Sequence, residues 1–139
     1  MLGIVGFTRV NVPVSDLQRA REFYETVCGL HLVADLSDPE GSGAVPHLVM
    51  AGDRITVALY QAKQPGDYLQ IKKNGAVTYT PRSRTRVLHH AFRVADREAI
   101  VQRLEEMGYP YEFYEGRGSG AGEVYVNDPD GNRIEFVAH

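Results

Sequence analysis

The apolar pattern near the start of the chain predicts a strand followed by a helix. Three valines are spaced by two residues, namely Val10, Val12 and Val14. This period is typical of a strand with one buried face. Apolar residues then recur at helical spacing. Ser15 and Gln18, three residues apart, form a capping-box signal at the start of this helix, and Gly29 is a signal for its end. We predict a strand over residues 7–14 and a helix over about 16–28.

The rest of the first half predicts three more strands, and the second half repeats the whole order. The predicted strands of the first half are 30–36, 47–51 and 54–61. The second half has Asp96 as a helix N-cap and Gly108 as a helix end. Its predicted elements are a strand over 87–94, a helix over 97–107 and strands over 111–114, 123–127 and 133–138. The chain therefore predicts an α+β fold of two βαβββ modules.

The two halves can be aligned with each other. Residues 7–10 placed over 87–90 bring residues 14–16 onto 94–96, each ending in an aspartate before a helix. We expect one domain over 1–139, with module one at about 5–61, a connection at about 62–86 and module two at about 87–138. The basic connection has room for one short strand, and it is a solvated loop or an anion-recognition flap. The glycine-rich stretch 115–122 is a candidate lid.

Composition limits the possible partners. The 139 residues are 43% hydrophobic and 24% charged, which suits one globular domain. A net charge of −3 provides no basic field for nucleic acid. No stretch approaches the roughly 18 apolar residues of a membrane span. Cys28 is the single cysteine, so an intrachain disulfide is excluded. We expect a cytoplasmic protein with a small-molecule ligand and neither nucleic-acid nor membrane partners.

Three stretches resemble the vicinal oxygen chelate superfamily of glyoxalases, bleomycin resistance proteins and extradiol dioxygenases. They are VNVPVSDL at 10–17, HHAFRV at 89–94 and DPDGNRIEF at 128–136. The resemblance implies a curved, partly open mixed sheet around a central cavity, with the helices outside. It also implies a homodimer. The superfamily hosts many activities on one frame, so the resemblance does not select one.

The resemblance implies metal-ligand positions at Arg9, at Thr56 or Ala58, at His89 and at Glu135. Arginine has no lone pair to offer, threonine is a weak ligand and alanine is none. Only His89 and Glu135 are good donors for Fe, Mn, Zn or Ni. We therefore expect no cofactor, with a divalent metal possible only if a further donor completes the set. His47 is the first candidate for that donor.

Strand alternation indicates which candidates face the cavity. If the valines of the first strand face the helix, Arg9 faces the other side of the sheet. The same argument puts His89 and Glu135 on the cavity side and His90 on the helix side. We expect Arg9, His89 and Glu135 to converge, with Arg9 pairing with Glu135 or lying solvated at the strand edge. The histidine and the glutamate form either a functional pair or a structural one.

Three functions remain open. The first is a lyase, isomerase or dioxygenase-type enzyme that uses His89 and Glu135. The second is a non-catalytic protein that sequesters an antibiotic or aromatic compound. In it, tyrosines would supply the stacking surface, namely Tyr60, Tyr125 and Tyr114. The expected substrate-binding residues are Arg9, Thr56, Ala58, Tyr60 and Tyr125, and Arg9 would present a fixed positive charge to an anionic or enolate-like group. The third is a divergent member kept for protein interaction.

Overall fold

The computed structural model describes residues 8–38, 45–62, 67–71, 77–81, 89–114 and 122–138. These residues form two helices and ten strands in chain order. The elements are β1 (Val10–Val14), α1 (Leu17–Thr26), β2 (His31–Leu36), β3 (His47–Ala51), β4 (Thr56–Gln61), β5 (Asp67–Ile71), β6 (Val77–Pro81), β7 (His90–Val94), α2 (Arg97–Glu106), β8 (Glu112–Tyr114), β9 (Glu123–Asn127) and β10 (Arg133–Ala138).

The two modules have the same topology. The strand order is β1-β4-β3-β2 in module one and β7-β10-β9-β8 in module two. In each sheet the first strand of the module runs parallel to the last, and the remaining neighbours are antiparallel. The predicted α+β fold of two βαβββ modules is therefore confirmed.

The connection contains more structure than we predicted. It has two antiparallel strands, β5 and β6, instead of one. The residues between them include Asn74-Gly75, a dipeptide typical of hairpin turns. That local signal identifies a hairpin more directly than periodicity does. The basic residues of the connection (Lys72, Lys73, Arg82, Arg84 and Arg86) and positions 115–121 of the candidate lid lie outside the described residues.

Both helices begin at an aspartate. The Asp16 carboxylate accepts from the Arg19 N–H at 2.9 Å, and Asp96 does the same for Ala99 at 3.0 Å. The predicted capping box at Ser15 is wrong, because the Ser15 N–H instead donates to the Asp130 carboxylate of module two at 3.0 Å. None of the described helices is long and apolar enough to cross a membrane.

A single hydrophobic core joins the two modules. It contains the inward residues of sheet one, such as Val12 and Leu59, and those of sheet two, such as Ile134 and Phe136. Residues of both helices, including Leu104, belong to the same cluster. Each sheet therefore turns one face to the shared core. We call the opposite face of each sheet its open face.

The turn between β9 and β10 fastens module two to module one. The Asp128 carboxylate is buried and accepts from the backbone N–H groups of Asp130 and Asn132 at 2.9 and 2.8 Å. It also accepts from the Tyr24 hydroxyl of α1 at 3.1 Å and from the Asn132 amide at 2.8 Å. The same amide donates to the Pro13 carbonyl at 3.0 Å. Burial raises the pKa of Asp128, although these hydrogen bonds oppose the shift.

Candidate functional site

His89 and Glu135 meet on the open face of module two. Glu135 Oε2 lies 2.8 Å from His89 Nε2, and their side chains are 10% and 33% exposed, respectively. Glu135 alternates along β10 with the core residues Ile134 and Phe136, which places its carboxylate on the open side. His90 pairs with Ile134 and so lies on the helix side. The predicted directions of both histidines and of Glu135 are confirmed.

The contact between them decides which imidazole nitrogen is available. An ionised carboxylate only accepts hydrogen bonds, so His89 Nε2 carries a proton and donates a hydrogen bond to Glu135. In the neutral ring the other nitrogen, Nδ1, is then an acceptor. A carboxylate that holds one side of an imidazole orients the ring and stabilises its protonated form. The pair can therefore take a proton from a group placed at Nδ1.

Tyr125 is the direct cross-strand neighbour of Glu135. Its hydroxyl donates to Glu123 Oε2 at 3.0 Å. Burial raises the pKa of Tyr125 to about 12, and the hydrogen bond to Glu123 and the charge of Glu135 add to the shift. The phenol is therefore a hydrogen-bond donor at neutral pH. Its ring meets that of His89 edge to face, with the centroids 5.6 Å apart.

An ion pair covers Tyr125 from another side. The Arg133 guanidinium lies 4.6 Å from the centroid of the Tyr125 ring. It also forms a two-pronged contact with Glu112, with N···O distances of 3.2 and 2.7 Å. These hydrogen bonds from Arg133 and a further one from Tyr114 hold the pKa of Glu112 below its usual value. The guanidinium is therefore anchored where it stacks.

Our interpretation of the sequence missed Glu112, Glu123 and Arg133 as members of this cluster. A signal for them was present, because each lies two positions from a predicted residue on the same strand. Residues spaced by two share a face, so Glu112 accompanies Tyr114, Glu123 accompanies Tyr125 and Arg133 accompanies Glu135. The alternation of side chains along the strands of module two therefore places all three residues on the open face.

The open face of module one carries the other predicted ligand contacts. Thr56, Ala58 and Tyr60 alternate along β4 with the core residues Val57 and Leu59. Ala58 is fully buried, at 0% exposure, so its predicted contact with a ligand is not supported, whereas Thr56 and Tyr60 are partly exposed. The Tyr60 ring stacks on His47 of β3, with centroids 4.6 Å apart and planes inclined by 13°. The His47 ring bonds through Nδ1 to a backbone carbonyl at 2.8 Å, which leaves Nε2 as an acceptor in the neutral ring.

Within one chain Arg9 does not join the His89 and Glu135 pair. Arg9 is exposed, and no ion pair links it to Glu135 among the described residues. The physical reason is that the two open faces belong to separate sheets, each turned away from the shared core. The expected convergence of Arg9 with His89 and Glu135 is therefore not observed within a single chain.

The residues of the site do not fit a complete metal centre. The described part of the chain contains no group of three or more His, Cys, Asp or Glu side chains placed to hold a metal ion. His89 and Glu135 are two donors, whereas protein metal sites of this kind use three or four. His47 lies on the open face of module one, so it does not complete the pair within one chain.

Comparisons with known proteins agree with this architecture. The family model of the Glyoxalase/Bleomycin resistance protein/Dioxygenase superfamily matches residues 6–136. No curated protein matches the chain significantly.

Several solved structures share the fold at low sequence identity. Lactoylglutathione lyase from Agrobacterium tumefaciens is 21% identical, with 97% of this chain and 94% of that chain covered and a TM-score of 0.71. The fosfomycin resistance protein FosX from Listeria monocytogenes is 13% identical, with coverages of 99% and 95% and a TM-score of 0.69. A variant of that protein, complexed with Mn(II) and 1S,2S-dihydroxypropylphosphonic acid, is 15% identical, with coverages of 98% and 93% and a TM-score of 0.69.

Proposed function

Because the chain belongs to the glyoxalase/bleomycin resistance protein/dioxygenase superfamily, we propose that it is an enzyme that acts on a small molecule by acid–base chemistry of the lyase or isomerase type. The observation that carries the proposal is the 2.8 Å contact between His89 Nε2 and the buried Glu135 carboxylate. Dioxygenase chemistry relies on a metal that contacts substrate oxygens. Two donors do not make its ligand set, so proton transfer matches the residues better.

In this mechanism Glu135 holds the Nε2 proton of His89 and orients the ring. A substrate carbon or oxygen placed at Nδ1 then loses its proton to the imidazole, and the electron pair stays on the substrate. Glu135 stabilises the imidazolium that results. The proton returns to another position of the substrate, or to a leaving group, which restores the neutral ring.

We also propose that the chain works as a homodimer in which module one of one chain covers module two of the other. The proposal is supported by the separation of the candidate residues within one chain, since Arg9 belongs to module one and the His89–Glu135 pair lies on the sheet of module two. Arg9 and Thr56 would then contact a ligand that reacts at His89 of the partner subunit. The Arg9 guanidinium would supply a fixed positive charge to an anionic group of that ligand.

The test of the enzyme proposal is deuterium exchange of acidic C–H groups in a panel of α-hydroxyketones and 1,3-dicarbonyl compounds, followed by proton NMR. We expect the protein to accelerate exchange of at least one compound. His89→Gln should lower that acceleration about 100-fold or more, because it removes the base. Tyr111→Phe is the matched control, since the Tyr111 hydroxyl contacts Glu105 instead of the site. Undiminished exchange by His89→Gln would refute the role of His89.

A second candidate function is sequestration of a planar aromatic compound. The observation that favours it is the stacked pair of His47 and Tyr60 on the open face of module one. A sequestering protein should bind such a compound and release it unchanged, with the same Kd in His89→Gln. Tyr60→Ala should weaken binding, because a planar aromatic ligand loses a stacking partner. Calorimetry with both variants separates sequestration from catalysis.

A further inference from the structure

Tyr125 lies at the centre of the side-chain cluster on the open face of module two. The edge-to-face contact with His89 brings the two planes to 86° of each other. Tyr114 makes a second edge-to-face contact, with centroids 5.6 Å apart, and Arg133 covers the ring at 4.6 Å. The hydroxyl donates to Glu123 Oε2 and also interacts with the Glu135 carboxylate. Three side chains therefore contact the ring, which is partly buried.

We propose that Tyr125 is a positioning residue, whose ring keeps the His89 imidazole turned so that Nε2 faces Glu135. The consequence for catalysis depends on the proposed function, but the positioning itself does not. This role differs from the stacking surface that we expected of Tyr125 from the sequence. It assigns the aromatic ring to the catalytic pair and leaves ligand contacts to other residues.

The need for such a residue follows from the position of His89. Its side chain is one-third exposed and lies just before β7. Within the described part of the chain, its polar contact is the one with Glu135 of the neighbouring strand. A histidine side chain has two rotatable bonds, so one hydrogen bond alone permits other rotamers. Edge-to-face packing restricts both bonds, because the ring must keep its angle to Tyr125.

Arg133 and Glu112 in turn keep the Tyr125 ring in place. A guanidinium that stacks on an aromatic face is attracted to the electrons of the ring, and Arg133 makes this contact with Tyr125. The two-pronged contact with Glu112 adds geometric precision, since it orients the plane of the guanidinium. The order of support therefore runs from Glu112 to Arg133, from Arg133 to Tyr125 and from Tyr125 to His89.

The experiment measures the side-chain conformation of His89 by NMR, without substrate, through three-bond couplings and the imidazole Nε2–H resonance. In the unaltered protein and in Tyr125→Phe we expect couplings of a single rotamer, since the ring is retained. In Tyr125→Leu we expect averaged couplings and loss of the Nε2–H resonance through exchange with water. Tyr111→Leu, which removes a tyrosine that contacts Glu105, should leave His89 unchanged.

A milder variant keeps the test decisive if Tyr125→Leu does not fold. Arg133→Met leaves Tyr125 in place and removes only the guanidinium, so the couplings of His89 should move part of the way toward averaged values. Single-rotamer couplings in both Tyr125→Leu and Arg133→Met would overturn the proposal. So would an equal loss in Tyr125→Phe and Tyr125→Leu, because the hydroxyl would then do the positioning. Neither result depends on turnover, so failure of the proposed enzyme function is seen separately.

Discussion

The hydrogen bond between Tyr24 and Asp128 should contribute measurably to the attachment of module two to module one. Both residues are buried, at 0% and 3% exposure. The hydroxyl of Tyr24 donates to Oδ2 of Asp128 at 3.1 Å. Tyr24→Phe removes that hydroxyl and keeps the ring in the core, so the packing term is nearly unchanged.

The expected loss follows from the charge of the acceptor. A hydrogen bond to a charged group contributes about 1.5–3 kcal/mol, compared with about 0.5–1.5 kcal/mol for a neutral pair. Asp128 keeps three other donors in the variant, so the carboxylate is not left without partners. We therefore expect Tyr24→Phe to lower the free energy of unfolding by about 1.5–3 kcal/mol.

The matched control is Tyr109→Phe. Its hydroxyl donates to the Asn127 carbonyl at 2.7 Å, a neutral acceptor at a more exposed position. Urea unfolding followed by circular dichroism measures both variants, and the slope m should not change. A loss in Tyr24→Phe no larger than in Tyr109→Phe would refute the reasoning, because the charge of Asp128 would then have no measurable effect.

Four further predictions address the metal, the assembly, the pH dependence and a turn. The purified protein should be nearly metal-free by elemental analysis. Arg9→His should raise the affinity for divalent metals by orders of magnitude in calorimetry, since it adds an imidazole and removes a charge. Tight stoichiometric metal in the unaltered chain would contradict both expectations. Sedimentation should show a dimer. Arg9→Glu should shift the distribution toward monomer, because the new carboxylate would lie near Glu135 of the partner subunit. An unchanged distribution would be the opposing result. Because burial raises the folded-state pKa of Asp128, its contribution to the free energy of unfolding should be largest at low pH and be lost as the pH rises through the folded-state pKa. Asp128→Asn should flatten that part of a plot of the free energy of unfolding, measured in urea, against pH. Gly131→Ala should lower the free energy of unfolding by about 1–2 kcal/mol, because Gly131 has a φ of +80°, which L residues rarely adopt. No atom lies within contact distance of the added Cβ, so the loss would come from the backbone conformation alone. A loss near zero in urea unfolding would show that the turn changes shape.

Much of the fold could be predicted from the sequence because its signals are local. Periods of two and 3.6 located both helices and the strands of both modules, with differences only at element ends. Alternation within a strand also settled the directions of His89, His90 and Glu135, since neighbouring residues of a strand point to opposite faces. The predicted cap of α2 at Asp96 was also correct, because helix capping depends on residues close in the sequence.

The tertiary structure decided how these locally determined parts meet. Asp16 caps α1 through the Arg19 N–H, whereas the Ser15 N–H donates to Asp130 of the other module, a contact that depends on how the modules pack. Arg9 stays apart from Glu135 because the two sheets share one core and turn their open faces away from it. The surroundings of Tyr125 combine residues of several strands, and their contacts depend on sheet register and module packing. A periodic pattern records which face a residue takes within its own strand, but it contains no information about which face of the neighbouring module lies opposite.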